Sequence, residues 1–204
     1  MKHRKPLNPV YAGYRKLKSY RMAQLVHAVT MLFCDEYLDE ESRACDQMRQ
    51  AASNAVQKIV EGSEAGERSK KTELKLTGVA RTSLEALRLS YEDFLRHEGL
   101  PLWDAEDPRR TDLTARRPRI PDDVTQWAEW AQQNAPSAQP TESRPATSGG
   151  PHASAETMAN GALTLIALAF SLLDRQTSAQ KRVVDYEANL AERLRRRRLA
   201  DWPE

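Results

Sequence analysis

Cysteine is nearly absent, with only Cys34 and Cys45 in 204 residues, which excludes a disulfide framework. Two buried thiols acting as small hydrophobes are the expected state. The opening MKHRKPLNPVYAG is basic but has no apolar segment behind it, so a secretory signal is not expected and a reducing, cytoplasmic setting is. The longest apolar run, ALTLIALAFSLL at 162–173, falls short of the roughly 20 residues of a membrane helix, and no span is expected. Glycine and aromatic residues are also scarce, whereas Ala, Leu, Arg and Glu recur throughout. Those four lose little side-chain freedom in a helix, so the composition points to an all-α chain.

Chemistry-bearing patterns are missing as well. No Gly-x-x-x-x-Gly-Lys loop or Gly-x-Ser-x-Gly elbow occurs. His27 has no second ligand at metal spacing, and His3, His97 and His152 fall at ends or in a linker. Asp35, Glu36, Asp39, Glu40 and Glu41 read as a solvated helix end and turn. VEGSEAGERSKK, at 60–71, reads as a turn between helices rather than a phosphate cradle. An enzyme, a cofactor and a metal site are all unexpected on these grounds.

The net charge of +2 hides an uneven distribution. From Met1 to Cys34 there is no acid, but there are Lys2, Arg4, Lys5, Arg15, Lys16, Lys18 and Arg21. The other end carries Arg193, Arg195, Arg196, Arg197 and Arg198. Such clusters attract polyanions whatever the overall charge. The candidate nucleic-acid-binding residues are therefore Arg4, Lys5, Arg15, Lys16, Lys18, Arg21, Arg193 and Arg195 to Arg198, for RNA or DNA. The competing assignment is a pair of solvated, solubilising ends.

Apolar periodicity predicts four long helices. The first runs from Ser19, read as its N-cap, to Tyr37, with Tyr20, Ala23, Val26, Val29, Thr30, Phe33 and Tyr37 inward. The second covers about 42–64 and is stopped by Gly62 and Gly66. The third starts after the cap Ser69 and ends at RHEGLP, where Gly99 takes the left-handed conformation and Pro101 blocks continuation. Ala51, Ala52, Ala55, Gly78 and Ala80 are expected to let the second and third helices approach closely. The fourth begins near Ser154 and continues to about Leu199. It is too long for its partners, so it either breaks near DRQTSAQ or projects.

The organisation expected is a basic arm at 1–16, helices one to three at 17–99, a Pro-rich linker at 100–153, disordered after Asn134, and the last helix with its Arg-rich end at 154–204. Together these make an antiparallel up-down four-helix bundle with a long linker between helices three and four. Leu25, Leu32, Val56 and Leu74 lie beside the main stripes and are expected to serve a homo-oligomer.

The helices KSYRMAQLVHAVTMLF, DQMRQAASNAVQKIVEG and SKKTELKLTGVARTSLEALRLSYEDFLR, with MANGALTLIALAFSLLDRQ, carry a resemblance. In this order they resemble the bacterial four-helix-bundle family that includes the large-subunit rRNA intervening-sequence proteins, most closely its branch with a four-helix-bundle suffix domain. Lys58, Thr82 and Ala86 depart from the family pattern. The resemblance implies a homopentamer and a non-enzymatic accessory role, binding nucleic acid and a reverse transcriptase of a diversity-generating retroelement through a basic surface. The alternative is a protein-interaction scaffold, anchored by Trp103, Trp127 and Trp130.

Overall fold

The computed structural model describes residues 13–115 and 151–200, with the side chains of 154–197 in the second stretch. All regular structure among the described residues is helical. A 3-10 turn at Tyr14–Lys16 leads into α1 (Lys18–Tyr37), followed by α2 (Arg43–Ala65), α3 (Lys70–His97), the short α4 (Pro108–Ala115) and α5 (Pro151–Ala200). Trp127, Trp130 and the stretch assigned to disorder after Asn134, up to residue 150, lie outside the described residues.

Local chemistry sets most helix ends. Ser42 caps α2 by accepting from the Cys45 N–H at 3.1 Å, and Ser69 caps α3 by accepting from the Thr72 N–H at 3.2 Å. Glu73 in the first turn of α3 adds a carboxylate near the positive end of the helix dipole. At its other end Gly99 sits at φ +63°, and the Leu100 and Gly99 N–H groups return to the carbonyls of Leu95 and Arg96. That pair of bonds is a Schellman ending, which only glycine adopts without strain.

Two expected helix signals act differently. Ser19 is not a cap: α1 starts one residue earlier, after an extended Leu17, and the buried Ser19 hydroxyl donates to Gln176 Oε1 at 2.5 Å. Its hydroxyl is turned to a helix interface and accepts from no first-turn N–H. Gly62 does not stop α2 either. It lies inside the helix, where a Cβ would meet Leu76 Cβ at 3.3 Å and the Glu73 carbonyl at 3.5 Å. Gly78, by contrast, is exposed with nothing within 4 Å of its Cβ position. The close approach of α2 and α3 therefore rests on Gly62 with the buried Ala52, Ala55 and Ala80.

The long helices close into a ring of contacts in which α1 meets α2, α2 meets α3, α3 meets α5 and α5 meets α1. The enclosed core holds Val26, Val29 and Phe33 of α1, Met48 and Ile59 of α2, Leu84, Leu87 and Tyr91 of α3, and Leu165, Ile166 and Leu173 of α5. Each such side chain contributes about 1.5–3 kcal/mol by leaving water. Phe33 packs edge-on to Tyr91 and Phe94, at centroid distances of 4.9 and 4.8 Å. The Tyr91 hydroxyl donates to Thr30 Oγ1 at 3.1 Å, which itself donates to the Val26 carbonyl at 2.8 Å, so this buried polar pair is satisfied. Met22, Leu25 and Cys34 are also buried, widening the apolar face of α1 beyond the expected stripe.

The start of the expected linker belongs to the packed body. Trp103 is buried against α5, its backbone N–H donating to Asn160 Oδ1 at 2.8 Å and its indole N–H to Glu156 Oε1 at 2.9 Å. Asn160 Nδ2 in turn donates to the Pro101 carbonyl at 3.0 Å. The Arg109 guanidinium lies 4.1 Å from the Trp103 ring centroid and pairs with Asp107 and Glu156. Asp107 caps α4 through the Arg109 N–H, and hydrogen bonds from the Arg109 side chain hold its carboxyl below the ordinary range.

α5 runs unbroken through DRQTSAQ and, of the two expected alternatives, projects. Its stretch from Ser154 to Arg197 is long and apolar enough by composition to cross a membrane, but most of its apolar window is buried inside the protein, as in the core helix of a bundle. Gln180 is its last buried residue, and from Lys181 to Arg197 none is buried.

Two predictions follow from the packing. Gly78→Ala adds a methyl in open space at a helix interior and should stabilise by about 0.5–1 kcal/mol, whereas Gly62→Val should overpack against Leu76 and cost about 1–3 kcal/mol; urea unfolding measures both. Partial burial holds the pKa of His27 below its ordinary value. The unfolded chain therefore binds the proton more readily, and His27's contribution to stability is complete above about pH 6.5 and is lost as pH falls towards the lower folded value. The melting temperature should decline in that window, and His27→Gln should flatten the decline.

Candidate nucleic-acid interface

The basic residues fall into two groups at different heights along the long axis. Arg15 and Lys16 sit on the 3-10 turn, and Lys18 and Arg21 in the first turn of α1; all four are exposed. Arg21 Nε donates to the Arg15 carbonyl at 3.0 Å, and Tyr14 stacks edge-on to Tyr20 at 4.8 Å, so the turn is fixed to the helix. The first turn of α1 contains no acid. Cations at this positive helix end reinforce the dipole instead of offsetting it, which concentrates positive potential there.

Contacts between helices bring other elements to the same end. Ser19 meets Gln176 of α5, Gln180 donates to Glu73 of α3 at 3.0 Å, and Gly13 lies beside Ser63 of α2. The start of α1, the α2–α3 turn and the base of the projection therefore share one level. This adds exposed Arg68 of the α2–α3 turn, Lys71 and Lys75 of α3, and Lys181 and Arg182 of α5, which are scattered in sequence and meet only through the packing. Lys70 is partly neutralised by Glu73 at 3.1 Å, and Glu61 pairs with Lys58 at 2.6 Å. At the opposite end, where Tyr37 meets Ser154 at 2.7 Å, lie the exposed acids Asp35, Glu36, Asp39, Glu40 and Glu41. The small net charge thus conceals a molecule that is basic at one end and acidic at the other.

The second group lies farther out. Arg193, Arg195, Arg196 and Arg197 are exposed on the projecting part of α5. At 1.5 Å per residue they stand about 20–25 Å beyond Gln180. Arg196 pairs with Glu192 one turn back; Arg193, Arg195 and Arg197 make no ion pair among the described residues. Arg198 lies within α5 but its side chain is not among those described, and Arg4 and Lys5 lie outside the described residues. The fold therefore gathers Arg15, Lys16, Lys18 and Arg21, and aligns them with the distal arginines along one rod without merging the two groups.

Other candidate sites offer less. Burial, and then the neighbouring Cys45, push the Cys34 thiol up to about 12, which leaves it a protonated core side chain rather than a nucleophile. Among the described residues no group of three or more His, Cys, Asp or Glu side chains is placed to hold a metal ion. An open groove of about 1170 Å³ runs between α2 and α3, lined by Gln47, Gln50, Asn54, Gln57, Thr82 and Ala86 among others. Thr82 and Ala86 both line it.

Two expectations tied to partners need correction. Trp103 is not a surface anchor, because its ring and N–H groups are committed to α5. Leu25 is a core residue, only 4% exposed, because α1 presents a wider apolar face than its main stripe, and Leu32 and Val56 pack against that core. Leu32, Val56 and Leu74 remain partly exposed, so of the four residues expected to serve a homo-oligomer only Leu25 is withdrawn into the core. No protein-family model, curated protein or solved structure matches this chain.

Proposed function

We propose that the protein is a non-enzymatic nucleic-acid-binding accessory factor of the cytoplasm, in which the four long helices run up-down-up-down and hold two basic surfaces on one rod. The observation that carries this reading is the clustering of Arg15, Lys16, Lys18 and Arg21 at the end from which α5 projects, with exposed Arg193, Arg195, Arg196 and Arg197 farther out on that projection. Charges placed this way suit the regularly spaced phosphates of a nucleic-acid backbone, which position a strand without specifying its bases. The pairs Ser19–Gln176 and Tyr37–Ser154 support the antiparallel course of α1 and α5. The family resemblance supports the accessory role, with a reverse transcriptase as the partner it implies.

Binding through this surface should weaken steeply with salt. Neutralising about five phosphates gives a log–log slope of roughly −3.5 on single strands and −4.5 on duplex DNA. Replacing Arg195, Arg196, Arg197 and Arg198 together by Gln should flatten the slope and weaken all sequences alike. Filter binding with RNA and DNA checks this; binding that is absent at low salt, or indifferent to salt and to the substitutions, would sink the proposal.

A further inference from the structure

The projecting part of α5 is not uniformly polar. Val183, Tyr186, Leu190 and Leu194 are 42%, 69%, 45% and 51% exposed, and their spacings of three, four and four residues place them on one face. No other part of the described chain covers this face, since Gln180 is the last residue of α5 that the bundle buries. In proteins most helical stability comes from packing an apolar face against a neighbour, which this segment lacks among the described residues. A stripe on such a segment calls for a partner.

The charges say which partner. Between Val183 and Glu192 every charged residue is acidic, namely Asp185, Glu187 and Glu192; from Arg193 to Arg197 every charged residue is arginine. The segment is therefore complementary to itself when reversed. With a two-fold axis near Leu190, that residue meets its own copy, Tyr186 meets Leu194, and the acidic stretch 183–187 lies beside the basic stretch 193–197. A parallel pair would set one arginine run against the other. The reversed arrangement also places the two bundles at opposite ends of the paired rod, where they do not collide.

We infer that α5 is a self-association element, pairing antiparallel with α5 of a second copy of this chain through Tyr186, Leu190 and Leu194, with Val183 beside the apolar stem of the second copy's Arg197. The inference rests on the stripe and the order of charges and does not require nucleic-acid binding, although it uses the same arginines. Each copy contributes both signs, so complementary attraction holds the pair in register and like-charge repulsion disfavours the parallel alternative.

Light scattering on the full chain, free of nucleic acid, tests it. At micromolar concentration and low salt the mass should be twice the 23.1 kDa of the chain. It should return towards the monomer as salt rises, because the pairing charges are exposed and screened. The double substitution Tyr186→Glu and Leu190→Glu should yield a monomer that still melts cooperatively, since both positions lie outside the core. Asp185→Arg with Glu187→Arg should weaken pairing without touching the stripe. A monomer under all conditions would overturn the inference. So would a dimer strengthened by salt, the mark of a parallel pair, or an oligomer unmoved by either double substitution. If a variant fails to fold, the wild-type salt series still separates a salt-sensitive dimer from a monomer and from a dimer strengthened by salt.

Discussion

The apolar face of α5 between Ala155 and Leu173 is the surface on which the other parts depend, because α1, α3 and α4 all close against it. Val29 and Phe33 of α1 and Leu84 and Leu87 of α3 are fully buried in the core that this face helps to close. The helix is rich in small residues there: Ala155, Ala159, Ala162 and Ala169 are buried, which lets neighbouring backbones come near, and Leu165, Ile166 and Leu173 fill the centre. Buried Thr164 donates its hydroxyl to the Asn160 carbonyl at 3.0 Å, so that hydroxyl is satisfied within the helix.

The same helix fixes what lies at its two ends. Near its start, Glu156 and Asn160 capture Trp103 and the backbone around Pro101, so the chain leaving α3 is folded back onto the bundle. Farther along, Gln176 and Gln180 reach Ser19 and Glu73 and set the level at which α1 and α3 begin. Past that point no other described residue covers α5. Its surface then changes from apolar to acidic to basic over a short distance, and the proposed pairing and phosphate contacts both draw on this stretch.

Signals that act within a few residues were legible in the sequence. Ser42, Ser69 and Gly99 satisfy backbone groups three to five positions away, and the helix ends fall where those residues put them. Signals that depend on a distant partner were not. Trp103 is held by residues 53 and 57 positions further on, which a Pro-rich composition cannot reveal. Ser19 carries the chemistry of a cap but is used by Gln176, 157 residues away. Gly62 and Gly78 look alike in sequence, and only the direction each faces decides that one admits a neighbouring helix and the other meets solvent. The basic ends were visible as composition. That one of them shares a level with Arg68, Lys71 and Lys75 depends on how the helices meet.

Because α5 leaves the bundle as a continuous helix, its outer part inherits an angular phase as well as a distance. Each residue added between Gln180 and Leu190 would advance the tip by about 1.5 Å and turn it by about 100°. A seven-residue insertion would restore the facing to within roughly 20°, while two residues would swing the arginines to nearly the opposite side. The projection thus behaves as a rotary ruler cut to a fixed count of residues, and its tolerance to length change is periodic instead of gradual.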